Sequence, residues 1–185
     1  MNNSKDHPSE QLKYLRLGRL HSHWNDDLTL AAQKNYSHDR FLRHIIEEEY
    51  QQKRENARQL RLQRARIPEK LVIETYPFAQ QPKLNKKTIM ALYDSMTYLT
   101  EAQNIIWLGG TGCGKTGLAT SFLIHAINHG YNGRYILFSE LIHELYQSCA
   151  DHSQAKVIKK YLKYDCLHID EIGYQYARAG VAVAD

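Results

Sequence analysis

Gly109-Gly-Thr-Gly-Cys-Gly-Lys-Thr116 decides how this 185-residue chain is read. The spacing G-x-x-x-x-G-K-T puts glycines where a backbone wraps a chain of phosphates, with successive N–H groups and a helix N-terminus aimed at the oxygens. Gly109, Gly110, Thr111, Gly112, Cys113 and Gly114 form such a cradle. Lys115 then sets its ammonium against the β- and γ-phosphates, and the Thr116 hydroxyl is a ligand of the magnesium ion that bridges them. ATP and Mg2+ are the cofactors implied. Cys113 contributes backbone, not thiol chemistry.

The flanks suit that loop. Asn104-Ile-Ile-Trp-Leu108 is a short apolar run of the kind expected for a buried parallel strand. After the loop, Leu118, Phe122, Ile124, Ala126 and Ile127 give a helix an apolar surface until Gly130 stops it. Arg134-Tyr-Ile-Leu-Phe-Ser139 predicts a second strand and residues 140–147 a helix. Tyr164-Asp-Cys-Leu-His-Ile-Asp-Glu171 then predicts an extended segment ending in two acids, about 55 residues beyond the loop. Asp170 is placed to hold magnesium through its water shell, and Glu171 to orient and deprotonate the water that attacks the γ-phosphate. Lys115 and Glu171 are thus the catalytic candidates. His168 is out of character, because a buried parallel strand normally carries an aliphatic residue there; it reads as a satisfied or partly exposed histidine.

Upstream, Leu12, Leu15, Leu20, Trp24 and Leu28 recur at near-helical spacing, predicting an amphipathic helix bent near Gly18. Ser37 caps a second helix with Asp39 in its first turn. Its continuation, residues 53–66, carries six positive side chains against one acid, Glu55. Arg54, Arg58 and Arg61 fall on one face, followed by Arg64 and Arg66. By composition this run is a solvated helix face; the competing reading is a phosphate-backbone contact for DNA. Ile67-Pro68 ends the helix. The chain therefore divides into a helical module (1–66), a linker (67–87) carrying Pro77 and Pro82, and a nucleotide-binding part (88–185) that starts with a helix capped by Asn85 or Thr88.

Bulk properties exclude several classes. Hydrophobic residues make up 43% and charged residues 24%, an ordinary globular balance rather than a disordered or fibrous one. The net charge of +4 permits an acidic partner without demanding one. Cys113, Cys149 and Cys166 are too few and scattered for a disulfide framework or a paired metal site. The polar start and the lack of any run near the roughly 18 apolar residues of a membrane span predict a cytoplasmic protein with no membrane partner.

Between Leu12 and Tyr174 the chain resembles the IstB-like ATP-binding proteins that assist insertion-sequence transposases, relatives of the DnaC helicase loaders. The likeness is carried by Leu12-Lys-Tyr-Leu-Arg-Leu17, Ser37-His-Asp-Arg-Phe-Leu42, Arg61-Leu-Gln-Arg-Ala-Arg66, the phosphate loop with Gly117-Leu-Ala119, and Leu167-His-Ile-Asp-Glu-Ile-Gly-Tyr174. The resemblance implies an α/β P-loop NTPase of AAA+ type, a parallel sheet flanked by helices behind a small all-α module. It also implies an ATPase that binds double-stranded DNA, forms homo-oligomers with ATP between subunits, and recruits or activates a transposase. It favours the DNA reading of Arg54, Arg58, Arg61, Arg64 and Arg66.

There are two departures from the family pattern. Gly110 stands where the family often has proline, which loosens the loop without removing its amides. Residues 175–185 match none of the family's further sensor strand, arginine finger and helices, and Arg178 lies too near Glu171 to serve as that finger. In such sheets the sensor strand lies between the P-loop strand and the strand of Asp170. The expectation is therefore a truncated or frameshifted chain whose sheet lacks its middle and whose ATP hydrolysis is impaired. A helicase loader, and a non-catalytic DNA-binding protein with a remnant loop, are the alternatives.

Overall fold

The structure, a computed structural model, describes residues 8–150 and 152–173. The expectations placed on Tyr174, on residues 175–185 and on Arg178 lie outside the described residues. The chain separates into two compact units, Met1–Gln59 and Leu60–Asp185.

In the first unit, α1 (Ser9–Tyr14) and α2 (Gly18–Gln33) are separate helices. The expected bend near Gly18 is a break, with Arg16 in the left-handed region at φ 57°. The chain then enters α3 (His38–Ala65), 28 residues long, with the Ser37 hydroxyl accepting from the Arg40 N–H at 3.3 Å. Leu12 is buried, but the tie between α2 and α3 is polar. Asp27 is buried against the Arg19 guanidinium, with His44 Nε2 3.4 Å away, and Arg19 also lies 3.4 Å from Glu48. The buried Glu49 carboxylate accepts from the Leu20 N–H at 3.0 Å. Such enclosed charges persist only when their partners are all in place.

The second unit is built on α6 (Lys115–Asn128), whose side chains Leu118, Phe122, Leu123, Ala126 and Ile127 are all buried. One side packs with Ile73, with Ile89 of α4 (Lys86–Ser95), and with Met96 and Tyr98. Tyr98 belongs to α5 (Thr97–Thr100). Phe122 is the hub, with the rings of Tyr93, Tyr98 and Trp107 at 5.2, 5.5 and 5.4 Å. The other side of α6 meets Ala65, Leu62, Ile67 and Tyr135. The Asn85 side chain accepts from the Thr88 N–H at 3.1 Å, capping α4 as its sequence suggests. Residues 67–87 hold two short 3-10 turns, Ile73–Thr75 and Phe78–Gln80, and send Ile73 into the core with Tyr76 and Phe78 packed against it.

The sheet has two parallel strands, β1 (Gly133–Leu137) and β2 (Cys166–Asp170), registered from Gly133 opposite Cys166 to Leu137 opposite Asp170. The crossover between them contains α7 (Phe138–Ala150) and α8 (Gln154–Tyr161). This is a mostly helical unit with a small parallel sheet flanked by helices, in keeping with a P-loop NTPase-like architecture. Residues 104–108 depart from expectation, because they form no strand. Ile105 and Trp107 face the core, while Ile106 and Leu108 are 77% and 88% exposed. An apolar run becomes a buried parallel strand only where neighbours supply backbone partners. Among the described residues none is paired with this one, so period-two alternation survives without a ladder.

Candidate functional site

The loop of residues 109–114 delivers the chain into the N-terminus of α6, where unpaired N–H groups and the positive end of the helix dipole coincide. Gly114 caps that helix at φ +81°, a left-handed conformation that costs an L-residue. A Cβ there would also stand 2.9 Å from the Tyr76 ring. The Tyr76 hydroxyl donates to the Cys113 carbonyl at 3.1 Å, so the loop rests on an aromatic side chain from the 3-10 segment 37 residues upstream. Burial raises the pKa of that phenol.

Lys115 folds over its own loop, with Nζ donating to the carbonyls of Gly109 and Gly110, both at 2.8 Å. Cys113 Sγ donates to the Gly110 carbonyl at 2.9 Å and lies 3.8 Å from the Lys115 ammonium. Its thiol thus tightens the turn, beyond the backbone role foreseen for it.

Asp170 ends β2 next to the start of α6. Its Oδ1 accepts from the Thr116 hydroxyl at 3.2 Å and from the Glu171 N–H at 2.9 Å, and its Oδ2 accepts from the Tyr135 hydroxyl at 3.1 Å. Thr116 and Asp170, 54 residues apart in sequence, therefore converge. A hydroxyl beside a carboxylate is a hard-oxygen donor pair, which fits Mg2+, an ion that takes one or two protein oxygens and fills its remaining positions with waters and phosphate. Glu171 follows at φ 58°, exposed at the strand end.

Two tyrosines in this cluster escaped sequence reasoning. Tyr76 sits in a segment that reads as irregular, and nothing local marks it. Tyr135 stands opposite His168 across the two strands, ring edge to ring face at 5.0 Å and 89°. Burial first, and then the Asp170 charge, push its phenol pKa far above the usual range, so it is a donor at neutral pH. The one available signal was His168 itself, an aromatic where an aliphatic was expected. Burial lowers the pKa of that imidazole.

The basic helix presents its arginines unequally. Arg54 lies 5.5 Å over the Tyr50 ring. Arg58 forks onto Glu55 with contacts of 2.8 and 2.6 Å, and this pairing pulls the Glu55 carboxyl down to about 2. Arg61 is half-buried, with Nε enclosed. Arg64 and Arg66 are exposed; the Arg64 carbonyl accepts from Arg134 at 3.0 Å, and Arg66 takes φ 54° where the helix stops. No helix among the described residues is long and apolar enough to cross a membrane.

Known proteins share this chain's sequence over most of its length. It is 28% identical over 170 residues to the protein assigned as ATP-binding in insertion sequence IS5376 of Geobacillus stearothermophilus, covering 92% of this chain and 67% of that one. For the corresponding protein of IS232 from Bacillus thuringiensis the identity is 29%, with 94% and 69% covered. For that of IS21 from Pseudomonas aeruginosa it is 26%, with 88% and 61% covered. The chain thus spans about two thirds of the length of these relatives. The family model for IstB-like ATP binding proteins matches residues 10–182, so that on this match and on the loop, helix and acid that converge at Thr116, the chain belongs to the IstB-like ATP-binding protein family.

Proposed function

We propose that this chain is the ATP-binding part of an AAA+-type helper ATPase of DNA transposition. The observation that carries the reading is the approach of Thr116 Oγ1 to Asp170 Oδ1, 3.2 Å, at the N-terminus of the helix that Lys115 opens. Helix amides and the loop backbone bind the phosphate chain, and Lys115 exchanges its two carbonyl acceptors for phosphate oxygens. Thr116 and Asp170 hold Mg2+, which when bound neutralises charge on the β- and γ-phosphates. Glu171, one residue past Asp170, orients and deprotonates the attacking water.

The DNA half of the proposal rests on the basic stretch of α3. Arg54, Arg61, Arg64 and Arg66 supply sequence-independent contacts to double-stranded DNA, and Arg58 joins them when it leaves Glu55. The names of the relatives tie them to insertion sequences, which favours a transposase over a replicative helicase as partner. Homo-oligomers belong to the same proposal.

Equilibrium titration of the purified chain with a fluorescent ATP analogue, with Mg2+ and with chelator, tests the site. Lys115→Ala is expected to abolish binding. Equal affinity of Lys115→Ala and wild type would leave the loop a remnant and the protein a basic helical one.

A further inference from the structure

We propose that Tyr135, steadied by His168, is a positioning residue that aims the Asp170 carboxylate at Thr116. This rests on the nucleotide-site reading above and extends it to two residues which that reading leaves idle. The sheet register sets Tyr135 opposite His168 and Leu137 opposite Asp170, and alternate residues of a strand share a face, so Tyr135, His168 and Asp170 lie on one side of the sheet. From there the phenol reaches diagonally to Asp170 Oδ2 at 3.1 Å. Oδ1 is thereby turned to the Thr116 hydroxyl and the Glu171 N–H, at 3.2 and 2.9 Å.

A carboxylate at a strand end rotates freely about its last bond unless both oxygens are held. Here one oxygen is taken by the phenol O–H, which leaves the other facing the helix that carries Thr116. Tyr135 is itself constrained, since its ring meets the His168 ring edge to face at 5.0 Å. An aliphatic residue at position 168 would remove that wall, which gives the unusual histidine of this strand a use.

Partners that orient a metal-ligating carboxylate typically change metal affinity about 10- to 100-fold when removed. With phosphates and water sharing the ion, the lower end applies to Tyr135→Phe, which deletes a single oxygen and keeps the ring. The test follows a fluorescent ATP analogue by anisotropy with the full chain, once in chelator and once across a Mg2+ series. Expected for Tyr135→Phe are unchanged affinity in chelator and a half-saturating Mg2+ concentration raised about tenfold. His168→Val should shift the same midpoint in the same direction, but less.

Asp170→Ala is the reference for complete loss of the Mg2+ effect. If it loses the effect while Tyr135→Phe titrates like wild type, or if Tyr135→Phe weakens binding equally with and without Mg2+, the positioning role is overturned. If Asp170→Ala keeps the full Mg2+ effect, the nucleotide-site reading fails first. If His168→Val leaves the midpoint unmoved, His168 has no part in the arrangement.

Discussion

Substituting Gly114 by alanine tests whether the loop binds phosphate through a backbone shape that only glycine adopts cheaply. Gly114 holds φ +81°, and a left-handed conformation costs an L-residue about 1–2 kcal/mol. The new Cβ would meet Tyr76 Cε2 at 2.9 Å and its hydroxyl at 3.0 Å, so the ring must move and release its hydrogen bond to the Cys113 carbonyl. A hydrogen bond of this kind contributes about 1 kcal/mol. The two costs sum to about 2–3 kcal/mol; where the free variant loop relaxes out of this shape and binding must restore it, that is at about 1.4 kcal/mol per decade roughly a 30- to 150-fold loss of affinity. The assay is titration of Gly114→Ala with a fluorescent ATP analogue in Mg2+, alongside a thermal melt that reports folding separately. Gly110→Ala is the internal control, because nothing lies within 4 Å of its would-be Cβ; it should bind within about twofold of wild type. Tyr76→Phe isolates the hydrogen bond and should cost about fivefold. Binding by Gly114→Ala within about threefold of wild type, with folding intact, would refute the reasoning.

Four further outcomes are expected. Glu55→Gln removes the carboxylate charge onto which Arg58 forks, so affinity for double-stranded DNA should rise and the slope of log affinity against log salt should steepen, by up to about 0.9; an unchanged slope means Arg58 does not touch phosphate. Asp27→Ala leaves Arg19 with Glu48 as its carboxylate partner and should destabilise the N-terminal unit, by less than the cost of about 3–5 kcal/mol for a wholly uncompensated buried charge, in urea unfolding followed by circular dichroism. Phe122→Ala removes the ring met by Tyr93, Tyr98 and Trp107 and should cost about 3–5 kcal/mol, with a change in tryptophan emission. His125, stacked on Tyr93 at 3.8 Å, has its pKa lowered by burial and then by His129. A depressed histidine is harder to protonate folded than unfolded, so its contribution is fully present above the unfolded value of about 6.5 and is lost as pH falls below it. His125→Phe should flatten that acid limb in melts taken between pH 7.5 and 5, values chosen to bracket the histidine range of about 6.5.

What could be read before any coordinates were those features whose chemistry acts locally. The phosphate loop, the caps at Ser37 and Asn85 and the stop at Gly130 each depend on residues a few positions apart, and each is present. The approach of Asp170 to Thr116 was also foreseeable, since a spacing shared by loop and acid encodes a strand beside a helix. Tyr76 and Tyr135 were illegible, because their partners lie 37 and 35 residues away and no periodicity marks a hydroxyl that reaches across a fold. Residues 104–108 show the opposite limit: their apolar character was plain, but a strand is a property of a pair, and alternation alone does not supply the second member. Glu55 likewise stood in view as the single acid among six bases, three residues before Arg58, the spacing at which helix side chains meet.

Ile106 and Leu108 also govern how the protein behaves in bulk. Two oily side chains on a stretch that has no ladder partner among the described residues offer a template on which like molecules stack. Turbidity on concentrating the sample should therefore grow with protein concentration and recede when both positions carry serine, which leaves the net charge of +4 unchanged and so ties the trait to this stretch.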